Sequence, residues 1–166
     1  MDNRENSRNY YFQQAIDDAE IKINQGTIEY VNAKGKIIQN YGVGDPEEDV
    51  RALVYSELIY KYKYKAKDIT IEESIPKVST EYADIVIRYP DSDIVYAVIE
   101  TKKQNATKNE LKKAINDQYV YALNLDAEFY VVDNNNSDKR KVFSLYKIKN
   151  ELQREKWGAK EREKNL

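Results

Sequence analysis

Three charged residues, Asp84, Glu100 and Lys102, stand within or just after two apolar stretches in the middle of the chain. The stretches, 83–88 and 94–101, are rich in isoleucine and valine, and a Pro-Asp-Ser-Asp segment separates them. This pattern predicts a β-hairpin. Because strand side chains alternate between faces, Glu100 and Lys102 point to the same side. The hairpin brings Asp84 to the end that carries Glu100, so two carboxylates and a lysine share one end of an apolar sheet.

Two carboxylates beside a lysine could serve phosphodiester hydrolysis. A buried charge is costly unless it is paired or binds a metal, and carboxylate oxygens suit hard ions such as Mg²⁺. In this hypothesis Asp84 and Glu100 hold the ion, with the main-chain carbonyl of Thr101 as a further candidate ligand. The ion polarises the phosphate and activates a water, and Lys102 positions that water or offsets developing charge. Each residue alone is more simply a solvated or salt-bridged charge, but the combined Asp…Glu-x-Lys pattern favours a nuclease-type site.

Composition narrows the chemistry further. The chain of 166 residues contains no cysteine and no histidine, which excludes thiolate zinc sites and Ser-His or Cys-His nucleophiles. The formal net charge of -2 counts against a protein dominated by non-specific nucleic-acid binding but is compatible with a local basic groove. No apolar run reaches the length of a membrane helix, and the N-terminus has no signal-peptide core. The predicted compartment is therefore the cytoplasm.

A helix start precedes the hairpin. Asp45 is a suitable N-cap, Pro46 suits the first helical position, and acidic residues at 47–49 favour the positive helix N-terminus. The apolar residues that follow recur at helical spacing and predict one core-facing stripe.

Other periodic stretches predict the remaining elements. In chain order they are a helix from Tyr10 to about Ala19, strands at 27–30, 36–41 and 69–75, a helix from Thr107 or Asn109 to about Leu123, a buried strand at 127–133 and an edge strand at 142–148. One sheet with helices around it is the natural way to bury these apolar faces.

Four segments together resemble a known superfamily. PEEDVRALVYSELI, ITIEESI, YADIVI and YAVIETKK are similar to the PD-(D/E)xK nucleases, and the nearest likeness is to the N-terminal nuclease domain of type I restriction enzyme R subunits. The resemblance covers 46–133. It implies an α/β fold, a restriction-endonuclease-like mixed β-sheet flanked by helices on both faces. It also implies Mg²⁺-dependent DNA cleavage, in which Mn²⁺ can substitute.

The resemblance also assigns roles to residues. Asp84 and Glu100 match the metal ligands and Lys102 the catalytic lysine. An acid at the start of the preceding helix, Glu47 or Glu48, is expected near the site, and the sequence leaves both open.

One element departs from the family pattern. The family often carries Gln, three residues and then Tyr after the Glu-x-Lys strand, whereas Gln118 is followed by Tyr119 and Tyr121. Gln118 and Tyr121 are therefore accessory candidates, with simple surface placement as the alternative. Three lysines after the motif are candidates for phosphate contacts, with a solvated helix face as the alternative: Lys103, Lys108 and Lys112.

The predicted organisation is one nuclease domain at 1–149, with its core at 46–133, and a charged tail or linker at 150–166 that leads toward a further domain. The expected partners are double-stranded DNA and the translocase, modification and specificity modules of a restriction complex. No phosphate-loop motif indicates an ATP site within the chain. The alternative is a non-catalytic DNA-binding or assembly module that keeps the fold, although intact Asp84, Glu100 and Lys102 argue against it.

Overall fold

The computed structural model describes residues 3–42, 45–76, 80–116, 118–136 and 141–145. Its strands lie in two sheets. The large, mixed sheet comprises β3 (Lys34–Gly35), β5 (Ile69–Ser74), β6 (Tyr82–Arg88), β7 (Val95–Thr101), β8 (Phe129–Asp133) and β9 (Lys141–Ser144). The small, antiparallel sheet comprises β1 (Ile21–Asn24), β2 (Thr27–Tyr30) and β4 (Ile38–Asn40). The strand order is β3-β5-β6-β7-β8-β9 in the large sheet and β1-β2-β4 in the small one.

Helices cover both faces of the large sheet. They are α1 (Asn3–Asp17), α2 (Pro46–Tyr60), α3 (Lys108–Asn116) and α4 (Tyr119–Asn124). Alternation along β6 and β7 divides the apolar core in two. Ile85 and Ile99 pack with α1 and α2, whereas Val86 and Val98 pack with α3 and α4. The predicted mixed sheet with helices on both faces is confirmed.

The predicted start of α2 and the predicted hairpin are both present. The side chain of Asp45 accepts a hydrogen bond from the Glu48 N–H at 3.2 Å, and Pro46 is the first helical residue. Strands β6 and β7 pair antiparallel, and β7 continues the sheet by pairing parallel with β8. None of the described helices is both long and apolar enough to cross a bilayer.

The N-terminal region differs from its prediction. Helix α1 already begins at Asn3 and ends at Asp17. Strand β1 follows where no strand was predicted, because a turn at Gly26, whose φ is +76°, pairs β1 with β2 and buries Ile21. The segment predicted as one strand at 36–41 contains only β4, and the preceding β3 runs parallel to β5 in the other sheet.

The helix predicted at 107–123 is divided into α3 and α4. Thr107 and Glu110 form a reciprocal cap at the start of α3, since each backbone N–H donates to the other residue's side chain. The Tyr130 hydroxyl donates to the Ala114 carbonyl at 2.7 Å. In a continuous helix that carbonyl would accept from the N–H of residue 118, so the tyrosine satisfies the acceptor where α3 ends. The edge strand predicted at 142–148 is present as β9 over Lys141–Ser144. The end of that prediction, 146–148, and the tail at 150–166 lie outside the described residues.

Candidate active site

The hairpin brings Asp84, Glu100 and Lys102 together at one end of the large sheet. Ile85 pairs with Ile99, so one residue further along Asp84 faces Glu100 on the neighbouring strand. Lys102 follows the last residue of β7, and its backbone N–H donates to the Asp133 carbonyl at 2.9 Å. Its Nζ lies 2.8 Å from Glu100 Oε1. The geometry thus gathers all three predicted catalytic residues.

Asp84 uses both carboxylate oxygens within the protein. Its Oδ1 accepts from Arg51 Nη2 at 2.8 Å. Its Oδ2 accepts from the Thr101 backbone N–H at 2.7 Å and from the Thr101 hydroxyl at 2.9 Å. The carboxylate is therefore fixed against β7 on one side and against α2 on the other.

Glu100 is buried, and only one of its two carboxylate oxygens has a hydrogen-bond partner in the described part of the chain. The residue is 3 % exposed, and its Oε2 has no hydrogen-bond partner among the described residues. Burial, followed by repulsion from Asp84, raises the pKa of Glu100 to about 8, although Lys102 acts in the opposite direction. An orphaned buried oxygen beside a second carboxylate is a place where a cation would be stabilised.

Lys102 keeps its charge despite burial. Desolvation acts to lower its pKa, but attraction by Glu100, Asp84 and Glu47 outweighs it, and the pKa is raised. The ammonium group is therefore a cation at neutral pH, able to offset negative charge in its surroundings.

The two helix acids left open by the sequence have different surroundings. Glu47 is half-buried and acts electrostatically on both Glu100 and Lys102. Glu48 is buried, accepts a hydrogen bond from the Tyr30 hydroxyl, and lies 2.7 Å from Arg51 Nη1. Glu47 thus belongs to the Glu-x-Lys side of the site and Glu48 to the arginine side.

Arg51 and Glu72 were not among the predicted site residues. Arg51 bridges Glu48, Asp84 and Glu72, the last at 3.1 Å. The available signal for Arg51 was its position three residues after Glu48, one helical turn away on the flank of the apolar stripe. Glu72 faces Asp84 across β5 and β6, because its neighbours Ile71 and Glu73 pair with Ile85 and Ala83.

The accessory candidates lie on the α4 side. The Tyr121 hydroxyl donates to Glu81 Oε2 at 3.0 Å. Burial, the Glu81 hydrogen bond and the Glu100 charge raise the pKa of Tyr121 to about 12, so Tyr121 lies within electrostatic reach of Glu100. Gln118 is half-buried at the start of α4, and its side chain does not cap that helix.

The lysines predicted to contact DNA have two kinds of surroundings. Lys103 is half-buried and pairs with Glu110 at 3.1 Å. Lys108 and Lys112 are exposed on α3. The two exposed lysines are accessible to a DNA phosphate. Lys103 would have to leave the carboxylate of Glu110 before it could bind a phosphate.

The donor set suits a hard divalent ion. Within the described ranges, no three acidic side chains are gathered closely enough to hold an ion together. Two facing carboxylates and the Thr101 carbonyl are nevertheless oxygen donors of the type that Mg²⁺ accepts, usually alongside water. Oε2 of Glu100, which has no hydrogen-bond partner within the described ranges, fits such an ion directly. Asp84 fits it if Arg51 gives up or shares Oδ1.

Comparison with known proteins identifies the family. A family model described as "Type I restriction enzyme R protein N terminus (HSDR_N)" matches residues 46–154. A search of curated proteins found no match. The matched range contains α2, the hairpin and β8, which together carry the site, and the family fits a nuclease module. The chain therefore belongs to the family of type I restriction enzyme R protein N termini.

Proposed function

We propose that this chain is the Mg²⁺-dependent DNA endonuclease domain of a type I-like restriction-modification enzyme. The observation that carries the proposal is the buried Oε2 of Glu100, which has no hydrogen-bond partner in the described part of the chain and lies beside Asp84 and Lys102. A structural salt bridge would not need a second facing carboxylate at this position. A metal-dependent phosphodiesterase does, because two anionic ligands and a cation must share a small volume.

Each residue of the site has a role in this proposal. Asp84 and Glu100 would hold Mg²⁺, or Mn²⁺ in its place, which would polarise the phosphate and lower the pKa of an attacking water. Lys102 stabilises the negative charge that develops on the phosphate oxygens. Its backbone hydrogen bond to Asp133 fixes the main chain from which the side chain extends. The negative charge of Glu47 helps to raise the pKa of Lys102 and so to keep its ammonium group protonated.

The proposed substrate is double-stranded DNA. Exposed Lys108 and Lys112, with Lys103 beside the site, would neutralise phosphates, and Gln118 and Tyr121 would lie next to the bound strand. Sequence choice and ATP-driven movement would come from the specificity, modification and translocase modules of a cytoplasmic restriction complex.

A plasmid-cleavage assay tests the proposal. The wild-type chain, alone and within any longer protein that carries it, is incubated with supercoiled plasmid and Mg²⁺, Mn²⁺ or EDTA. We expect cleavage with either ion and none with EDTA. Lys102→Ala should lower the rate by about a hundredfold or more, because it removes charge stabilisation from the transition state.

A surface lysine provides the matched control. Lys22 is exposed on the small sheet, so Lys22→Ala should cut at the wild-type rate. If the wild type binds DNA but does not cut it in either form under any metal condition, the result would instead support the non-catalytic binding or assembly module. Cleavage by Lys102→Ala at the wild-type rate would remove the assigned role of this lysine.

A further inference from the structure

A buried arginine forms an ion pair with the carboxylate that the proposed function assigns to the metal. Arg51 is 6 % exposed, and its Nη2 lies 2.8 Å from Asp84 Oδ1. The other oxygen of Asp84 already accepts two hydrogen bonds from Thr101. A carboxylate oxygen has about two acceptor positions, so Oδ1 is the atom through which Asp84 can gain another ligand.

The position of Arg51 is set by charge. Three carboxylates surround its guanidinium, those of Glu48, Glu72 and Asp84. Its Nε is buried without a hydrogen-bond partner among the described residues, which is a cost that good hydrogen-bond geometry would have avoided. Lys36 provides a second cation at Glu72, but its side chain is 61 % exposed. Arg51 is thus the buried cation of this acidic cluster.

We propose that Arg51 is an internal counter-ion that competes with the divalent ion for Asp84. This inference rests on the proposed function. In the metal-free protein the guanidinium neutralises Asp84 and holds it in place. A divalent ion at Asp84 and Glu100 would neutralise the same carboxylate and would be repelled by a guanidinium at contact distance in a poorly solvated site. Arg51 and the ion are therefore alternative partners of one oxygen, and Arg51 is a positioning residue that sets how tightly metal binds.

This role differs measurably from that of a structural salt bridge. Loss of a structural arginine lowers stability equally with and without metal. Loss of a competing counter-ion lowers the stability of the metal-free protein, because it leaves three carboxylates near one another, and that loss is reversed by the ion. Metal affinity rises at the same time because a repulsive charge has gone.

The test compares wild type with Arg51→Gln and Arg51→Lys in EDTA and in a Mg²⁺ titration. Thermal unfolding reports stability, and isothermal titration calorimetry reports the Kd for Mg²⁺. We expect Arg51→Gln to melt lower than wild type in EDTA, to gain more from saturating Mg²⁺, and to bind Mg²⁺ about tenfold more tightly. Arg51→Lys, which keeps the charge, should retain a Kd close to that of wild type.

Arg88 offers a matched control on β6. Its guanidinium pairs with Glu73 and donates to the Thr70 hydroxyl at 2.9 Å, and among the described residues it makes no hydrogen bond or ion pair with Asp84. Arg88→Gln should lose the same stability in EDTA and in Mg²⁺, with an unchanged Kd.

The outcomes separate this inference from the proposed function. If Mg²⁺ neither binds nor stabilises wild type, and Asp84→Asn behaves identically, both fail. If wild type binds Mg²⁺ but Arg51→Gln binds it equally or more weakly, or if Arg51→Lys tightens binding as much as Arg51→Gln, the counter-ion role alone is overturned. Arg51→Gln that folds only with Mg²⁺ supports exchange between the two cations, and failure to fold in either condition contradicts it.

Discussion

The carboxyl group of Glu100 concentrates opposing physical demands on one side chain. Burial favours the neutral form, Asp84 repels the anion, and Lys102 attracts it at 2.8 Å. The balance leaves the pKa of Glu100 raised to about 8. A carboxyl group in this condition releases its proton when a cation binds beside it, so the metal uptake that we propose for the site would be coupled to proton release.

Glu100 makes the stability of the metal-free protein depend on pH. Its folded-state pKa of about 8 exceeds its ordinary value of 4.5, so the folded protein holds this proton more tightly than the unfolded chain. The resulting stabilisation is complete below the ordinary pKa and is lost as pH rises through about 8. We expect the free energy of unfolding in EDTA, measured by urea denaturation, to fall between about pH 5 and pH 8.

Two variants assign this slope. Glu100→Gln cannot ionise and should remove the slope that Glu100 contributes. Glu110→Gln should leave it unchanged, because the hydrogen bonds from Thr107 and the pairing with Lys103 lower the pKa of Glu110 to about 2, far from this pH range. Wild type and Glu100→Gln with identical slopes would show that Glu100 is ionised throughout.

At the scale of elements, the short strand β3 controls how closely the chain approaches β5. Gly35 has a φ of +82°, and a Cβ at this position would lie 2.3 Å from the Ile71 carbonyl oxygen. The next residue, Lys36, donates its backbone N–H to that oxygen at 2.9 Å and pairs its side chain with Glu72. Because Gly35 has no Cβ, β3 can approach β5 closely enough for Lys36 to pair with Glu72 of the acidic cluster.

Gly35→Ala should lower the free energy of unfolding by about 1–3 kcal/mol, through steric overlap with β5 and an unfavourable backbone conformation. Gly42→Ala is the control, since a Cβ at Gly42 meets no atom within 4 Å, and it should change stability by less than about 0.5 kcal/mol. If chemical denaturation gave the same free energy of unfolding for the two variants, β3 and β5 could move apart without a loss of stability.

Sequence reasoning succeeded where neighbouring residues determine the outcome. The N-cap at Asp45, the hairpin and the convergence of Asp84 with Glu100 follow from turn chemistry and strand alternation over short distances. The pairing of Arg51 with Asp84 across 33 positions could not be predicted, because it depends on how α2 packs on the sheet. The division of α3 from α4 was also missed, since the Tyr130 hydroxyl that accompanies it comes from a later strand.

At the scale of the whole molecule, α1 is tied into the framework behind the site. Arg8 is buried and reaches Glu57 of α2 at 2.9 Å and Asp133 at the end of β8 at 2.7 Å. The carbonyl of Asp133 in turn accepts from the Lys102 N–H. Helix α1 precedes the range 46–154 matched by the family model, yet it supports the main chain beside Lys102.

Arg8→Met should lower the free energy of unfolding by about 3–5 kcal/mol, because it deprives two buried carboxylates of their shared guanidinium. Lys67→Met is the control. Lys67 pairs with Asp91 on the surface, and its loss should cost less than about 1 kcal/mol. Urea denaturation of both variants measures the difference, and a loss for Arg8→Met no larger than that for Lys67→Met would show that α1 is dispensable to the framework.

The contacts of Asp84 and those of Arg8 also differ in how early they can form during folding. Asp84 meets Thr101 across only 17 positions of the chain, so a single hairpin brings the carboxylates of Asp84 and Glu100 together with little loss of loop entropy. Arg8 meets Asp133 across 125 positions, a closure that is slower and must wait until nearly the whole domain has been synthesised. We therefore expect Asp84 and Glu100 of a nascent chain to come together first, and the ion pair between Arg8 and Asp133 to form last. The contacts that support the main chain at Lys102 would then be complete only when β8 joins the sheet.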